Sequence, residues 1–253
     1  MQLPDGPDVN IFGDRIKASY AMARAAIDVL KTTPAGQTIL LATGKTMLEF
    51  YPALIRIAQE QSVDLTSFNY GHLDNYVWRP SSYPNGPGDE DFIKYLKKYF
   101  LEPAKIPEDH FYPINGLTEK PDLIAKKYNE WLSTQKIVAV FLGLGPAPEV
   151  HLAYIKEGTS LDKGVHHVFL SAITVARNVG RGEKVPTEAI TVGLANIKQA
   201  ANKFVLAIGK TEEVRLALTG PITNNVVATA LRTEGFKETV HAYLDKASAE
   251  YLR

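Results

Sequence analysis

Residues 137–142 read IVAVFL, an unbroken apolar run that ends in Gly143-Leu144-Gly145. A run this short and this apolar fits a strand buried on both faces, which is the situation of a strand inside a parallel sheet covered by helices. The same design recurs along the chain. TILLA (38–42) breaks at Thr43-Gly44-Lys45-Thr46, and the apolar segment around Phe68–Leu73 runs into Asp74-Asn75. EAITVGL (188–194) and KFVLAIG (203–209) follow, the latter ending at Gly209-Lys210-Thr211. Helical spacing fills the intervals. Ile11–Leu30 places Ala23, Ala26, Ile27 and Leu30 on one face, and Met47–Gln59 does the same for Tyr51, Leu54, Ile55 and Ala58. Asp91–Leu101 and Lys126–Leu132 read as further helices, and Glu238–Leu252 as a closing amphipathic helix. The prediction is an α/β chain, one domain over 1–253, with a mostly parallel sheet of about six strands and helices on both faces.

In such a sheet, ligands sit at the carboxyl ends of the strands. Four strand ends carry chemistry here: Thr43–Thr46, His72–Asn75, Gly143–Gly145 with the following His151, and Gly209–Thr211. Residues 78–91, WRPSSYPNGPGDED, are rich in Pro, Gly and Ser, and so long a loop reads as a binding loop or lid.

The bulk composition narrows the partners. The 28 basic residues balance 28 acidic ones, which argues against nucleic acid and against an anionic membrane surface. No cysteine is present, so disulfides, thiolate metal sites and a cysteine nucleophile are excluded, and a reducing cytoplasm fits. The opening MQLPDGPDVN is polar and does not read as a signal peptide, and no apolar run is long enough for a bilayer. His166-His167 are neighbours that a strand would point to opposite faces, a poor chelate, and no HExxH occurs. Ser160 lacks the G-x-S-x-G setting of a serine hydrolase. No metal and no cofactor are implied.

Gly44-Lys45-Thr46 after a strand invites a nucleoside-triphosphate reading. That loop needs a glycine five residues before Gly44, where Ile39 stands inside the strand. What remains is a tight turn that leaves backbone N–H groups for one phosphate or carboxylate, or a plain turn with a solvated Lys45. Asp74, at a strand end beneath the long loop, is placed to be a general base, or to cap the loop through an Asx-turn. Glu149 and His151 stand two apart, with Glu157 a few residues on, and a carboxylate near a histidine can fix its tautomer and tune its pKa.

Taken in order, these segments resemble the glucosamine-6-phosphate deaminase (isomerase) family and its broader group, which includes the 6-phosphogluconolactonases. The resemblance is carried by LLATGKTMLEFYPALI, LDNYV, LGLGPAPEVHLAYIKEGTSL, VPTEAITVGLANIKQA and VLAIGKTEEVRLALTGPITNNVVATAL, in unbroken order over roughly 36–232. It implies a Rossmann-like α/β fold. It also implies an enzyme of amino-sugar metabolism, in the hydrolase class, that turns an amino-sugar 6-phosphate into ketose 6-phosphate and ammonia without a redox cofactor. By resemblance, Asp74 is the base that moves a proton between C2 and C1, and His151 opens the sugar ring. Glu149 replaces an aspartate, and Glu157 stands one place after the family's glutamate, which aligns on Lys156. Thr43, Gly44, Lys45 and Thr46 fall on the loop that holds the 6-phosphate, with Lys210 and Arg181 as further phosphate ligands.

The chain departs from the pattern in several places. Asn75 follows Asp74 where glutamate is usual, two extra residues precede His151, and Lys45 replaces a small residue. The helix lysine of the family falls on Glu212, while Lys210 stands two residues earlier. The expected substrate is glucosamine or galactosamine 6-phosphate. A lactonase of the 6-phosphogluconolactonase kind and a non-catalytic sugar-phosphate-binding protein are the alternatives. The expected partner is a small sugar phosphate, with no nucleic acid and no membrane, and a homo-oligomer remains open.

Overall fold

The computed structural model describes residues 6–179 and 186–252. Six strands form the main sheet in the order β1-β9-β8-β5-β2-β3, every neighbouring pair parallel. They are β1 (Asp8–Phe12), β2 (Thr38–Leu41), β3 (Asn69–His72), β5 (Ile137–Leu142), β8 (Asn202–Ala207) and β9 (Val240–Asp245). A second, antiparallel sheet joins β4 (Asp74–Tyr76), β7 (Glu188–Thr191) and β6 (His166–Phe169), in the order β4-β7-β6. All six residues of β5 are buried. Successive strand residues face opposite ways, so both faces of the sheet are covered, as its apolar run predicts.

The helices are α1 (Arg15–Leu30), α2 (Phe50–Glu60), α3 (Phe92–Leu96), α4 (Pro121–Ser133), α5 (Ala172–Val179), α6 (Leu194–Gln199) and α7 (Thr211–Leu218). Among the described residues none is long and apolar enough to cross a membrane. Their start signals are local. Asp14 accepts from the Lys17 N–H to cap α1, and Asp91 accepts from the Ile93 and Lys94 N–H groups to cap α3. Beyond α3 the chain continues as a π-helical turn over Lys97–Leu101.

Three expectations are corrected. The closing segment is no helix: Val240–Asp245 forms β9 and pairs with β8 on one side and β1 on the other. The alternation of buried Val240 and Ala242 with half-buried His241 suits an extended chain. Strand formation there draws on two neighbours that the local sequence does not contain. Residues 11–12 belong to β1, and the helix starts only after Gly13-Asp14. The helix after β2 does not begin at Met47 either. A short 3-10 turn over Lys45–Met47 comes first, and α2 starts at Phe50.

The topology fixes where a ligand can sit. From β2 the chain moves outward to β3, then returns across β2 to place β5 on its other side. Connections that leave in opposite directions open a crevice at the carboxyl ends of β2 and β5.

Candidate active site

A cavity of about 760 Å³ fills that crevice. Its wall includes the turn Thr43–Thr46 after β2, Asp74 after β3, Gly143–Gly145 and His151 after β5, and Lys210 after β8. The four strand ends singled out in the sequence do converge.

Gly44 has φ 102°, a region closed to most side-chain-bearing residues, and this lets the chain leave β2 sharply. Its carbonyl accepts from the Met47 N–H (3.0 Å). Among the described residues no acceptor meets the N–H groups of Gly44, Lys45 and Thr46. Free N–H groups beside a lysine form an anion-binding corner. Lys45 is exposed and forms no ion pair among the described residues.

Asp74 stands where the chain leaves the main sheet for the small one. The Leu73 N–H still bonds the Leu41 carbonyl (3.1 Å), and Asp74 already pairs with Thr191. The Asp74 residue is 7% exposed, and no hydrogen bond reaches its carboxyl among the described residues. Burial therefore pushes its pKa up to about 7. An Asx-turn role is not what the carboxyl does. The loop's far end is capped by Asp91 instead. The adjacent His72 is fully buried, accepts from the Ile114 N–H at Nε2 (2.7 Å), and is pushed down to about 3 by burial, so it stays neutral.

His151 is held by backbone. Its ring lies so close to Gly145 that a Cβ there would come within 2.4 Å of it, and its Nδ1 bonds the Ala153 carbonyl. A carbonyl can only accept, so Nδ1 carries the hydrogen and Nε2 is left as a base. Nε2 lies 3.4 Å from Thr174 Oγ1. Burial lowers the His151 pKa, opposed by the Ala153 bond and the charge of Glu149 and assisted by that of Lys210.

Glu149 thus differs from its expected part. Ser171 donates to it (2.8 Å), and it reaches His151 only through its field, because the Ala153 carbonyl already occupies Nδ1. Glu157 is exposed and does not line the cavity, and Lys156 is exposed as well. Lys210 lines the cavity and pairs with Glu213 at 3.5 Å. Arg181 lies outside the described residues.

The long loop, read from the sequence as a binding loop or lid, does reach the cavity through Asp89 and Glu90, whereas the wall that follows it was missed: Phe92, Lys94 and Tyr95 of α3, with Lys98 and Tyr99 of the π-helical turn. Tyr76 and Tyr154 complete it, their hydroxyls 2.8 Å apart. The i, i+4 pair Tyr95/Tyr99 was the available signal, since it puts two phenols on one helical face. The loop is fastened at its start by Arg79, which grips Glu188 with two bonds (2.8 and 2.7 Å). His166 and His167 have separate partners, the Gly164 carbonyl and Glu188, and among the described residues no group of three ligands could hold a metal.

No family model matches the chain. Glucosamine-6-phosphate deaminases of Streptococcus pneumoniae, including those of strains 70585 and TIGR4, are 29% identical to it over 216 residues, 83% of this chain and 86–87% of theirs. A solved monomeric glucosamine-6-phosphate deaminase, described as a missing link of the NagB superfamily, superposes with a TM-score of 0.85 at 24% identity, covering 97% of this chain and 100% of that one. The 6-phosphogluconolactonase of Trypanosoma brucei gives 0.73 at 22% identity, covering 98% and 99%.

Proposed function

Because the chain belongs to the glucosamine-6-phosphate deaminase/isomerase family, within the broader group that takes in the 6-phosphogluconolactonases, we propose that it is an amino-sugar-6-phosphate deaminase/isomerase. The substrate is a 2-amino-aldohexose 6-phosphate, and the products are the ketose 6-phosphate and ammonia. The phosphate lies in the Thr43–Thr46 turn, with Lys45 and Lys210 supplying positive charge. His151 Nε2 takes the C1 hydroxyl proton and returns it to the ring oxygen, which opens the ring. Asp74 then takes the C2 proton and delivers it to C1, while a proton of the amine passes to O1, so that the C1 aldehyde becomes an alcohol and the C2 amine an imine. Water adds to that imine, and ammonia leaves as the ketone forms.

The observation that carries this reading is Asp74. It is a buried carboxyl without a hydrogen-bond partner among the described residues, poised near pKa 7 on the wall that also holds the turn and His151. A base works best when its pKa lies near the operating pH. The test is ammonia release from glucosamine and galactosamine 6-phosphates. Turnover by the wild type that vanishes in Asp74→Asn supports the reading, and unchanged turnover in that variant removes Asp74 as the base.

One observation favours a second reading, the lactonase. Glu157 lies outside the cavity, while the half-buried His151 lines it. Hydrolysis of a phosphorylated sugar lactone asks only for a histidine that activates water and a phosphate site. Acid release from 6-phosphogluconolactone, without ammonia release from either amino sugar, selects it. Ligand-induced thermal shifts without any product select a binding protein.

A further inference from the structure

Asp74 and the Gly44 turn leave different strands, and the helix α3 is bonded to Asn75 beside the first and to the second. At its start, Asn75, the neighbour of Asp74, is fully buried with its amide in use. Its Nδ2 donates to Asp91 (3.1 Å) and to the Ile114 carbonyl (3.1 Å), and its Oδ1 accepts from the Phe92 N–H (3.2 Å) and the Tyr76 N–H (3.0 Å). Asp91 in turn caps α3 through Ile93 and Lys94. One turn further on, the Tyr95 hydroxyl donates to the Gly44 carbonyl (2.7 Å). In a trans peptide, fixing that carbonyl also fixes the Lys45 N–H, which points the opposite way.

Asn75 takes the place where the resembling family has glutamate. A glutamate there would set a second carboxylate against Asp91 and would have no N–H to offer the Ile114 carbonyl. Asparagine is the residue that ties both.

We propose that α3 is a strut that sets the span between Asp74 and the Gly44 turn, with Tyr95 as a positioning residue for phosphate binding. The inference rests on the phosphate reading of that turn. It gives Asn75 and Tyr95 different effects. Loosening Asn75 moves Asp74 and lowers kcat, whereas loosening Tyr95 frees the turn and raises KM.

The test uses the full chain, with inorganic phosphate and glucosamine 6-phosphate as probes. Tyr95→Phe keeps the ring and removes one hydrogen bond, so the phosphate Kd and the KM should rise together by about fivefold. Its kcat should stay within about twofold, and its ligand-free melting temperature should hold. In Asn75→Ala with Tyr95→Phe, the loss of phosphate affinity should be no greater than in Tyr95→Phe alone, because Asn75 reaches the turn through the Tyr95 bond that is already cut. Wild-type turnover with an unaltered KM in Tyr95→Phe overturns the strut and leaves the deaminase reading standing. Weaker phosphate binding in Tyr95→Phe, with no sugar phosphate turned over by the wild type, keeps the strut and removes the reaction. Failure of the wild type to bind phosphate overturns both.

Discussion

Two ionisable groups are buried at opposite ends of the main sheet, and they are treated in opposite ways. Lys203, at the start of β8, is 1% exposed. Its Nζ donates to the Ala200 carbonyl and to Thr239 Oγ1, both at 2.7 Å, and sits 5.7 Å from the Phe236 ring centroid. Burial lowers its pKa to about 8, with the charge of Glu238 acting against the shift. Asp74, past the end of β3, is nearly as buried, yet its carboxyl has no hydrogen-bond partner among the described residues. A buried charge whose donors are used is a tie that holds structure. One left without a partner costs stability, and it is tolerated where a ligand will use it.

The comparison can be broken most directly at Asp74. Asp74→Asn keeps the shape and removes the proposed base, so kcat for ammonia release should fall by about 10²–10⁴. A calorimetric Kd for the substrate phosphate should change little. In the wild type, kcat/KM should rise with pH through about 7, as Asp74 loses its proton.

The same variant sharpens the cost side. The folded protein holds the Asp74 proton up to about pH 7, against an ordinary value of 3.8. Between those values the folded state binds more protons than the unfolded one, so stability falls as pH rises. Above pH 7 the full penalty is present, and Asp74→Asn should be more stable than wild type by at most about 4 kcal/mol. Urea unfolding at pH 8 should show the gap, and it should close as pH falls toward 4.

Lys203→Met should do the reverse. It leaves two buried acceptors unmet and should cost about 2–3 kcal/mol in urea unfolding. Activity per folded molecule should be unchanged, because Lys203 lies far from the strand ends that form the cavity. The smallest effect is expected at Glu157, which is exposed and outside the cavity. Glu157→Gln should leave kcat and KM within about twofold. A large loss there would restore to Glu157 the part the resemblance implied.

Much of the fold was legible because burial on both faces writes itself as an apolar run. IVAVFL and TILL read as strands and are strands. The loaded strand ends were legible for the same reason, since a parallel sheet gathers its carboxyl ends along one edge. What escaped was set by distant partners. Val240–Asp245 needs β1 and β8 to become a strand. Ala153, not Glu149, fixes the His151 tautomer, because the chain folds a carbonyl back two residues on. The α3 wall of the cavity depends on Asn75 meeting Asp91, 16 residues away.

The sequence by itself determined the parallel sheet, the edge on which the cavity opens, and the absence of a triphosphate loop, through Ile39. These follow from local periodicity and turn chemistry, which neighbouring residues decide among themselves. Only the tertiary structure set the candidate carboxylates apart. Asp74, Glu149 and Glu157 all look alike as candidates in one dimension. Folding buries the first without a partner, bonds the second to Ser171 and leaves the third in water. A carboxyl's chemistry is set by its solvent and its partners, and both are supplied by residues far away in the chain.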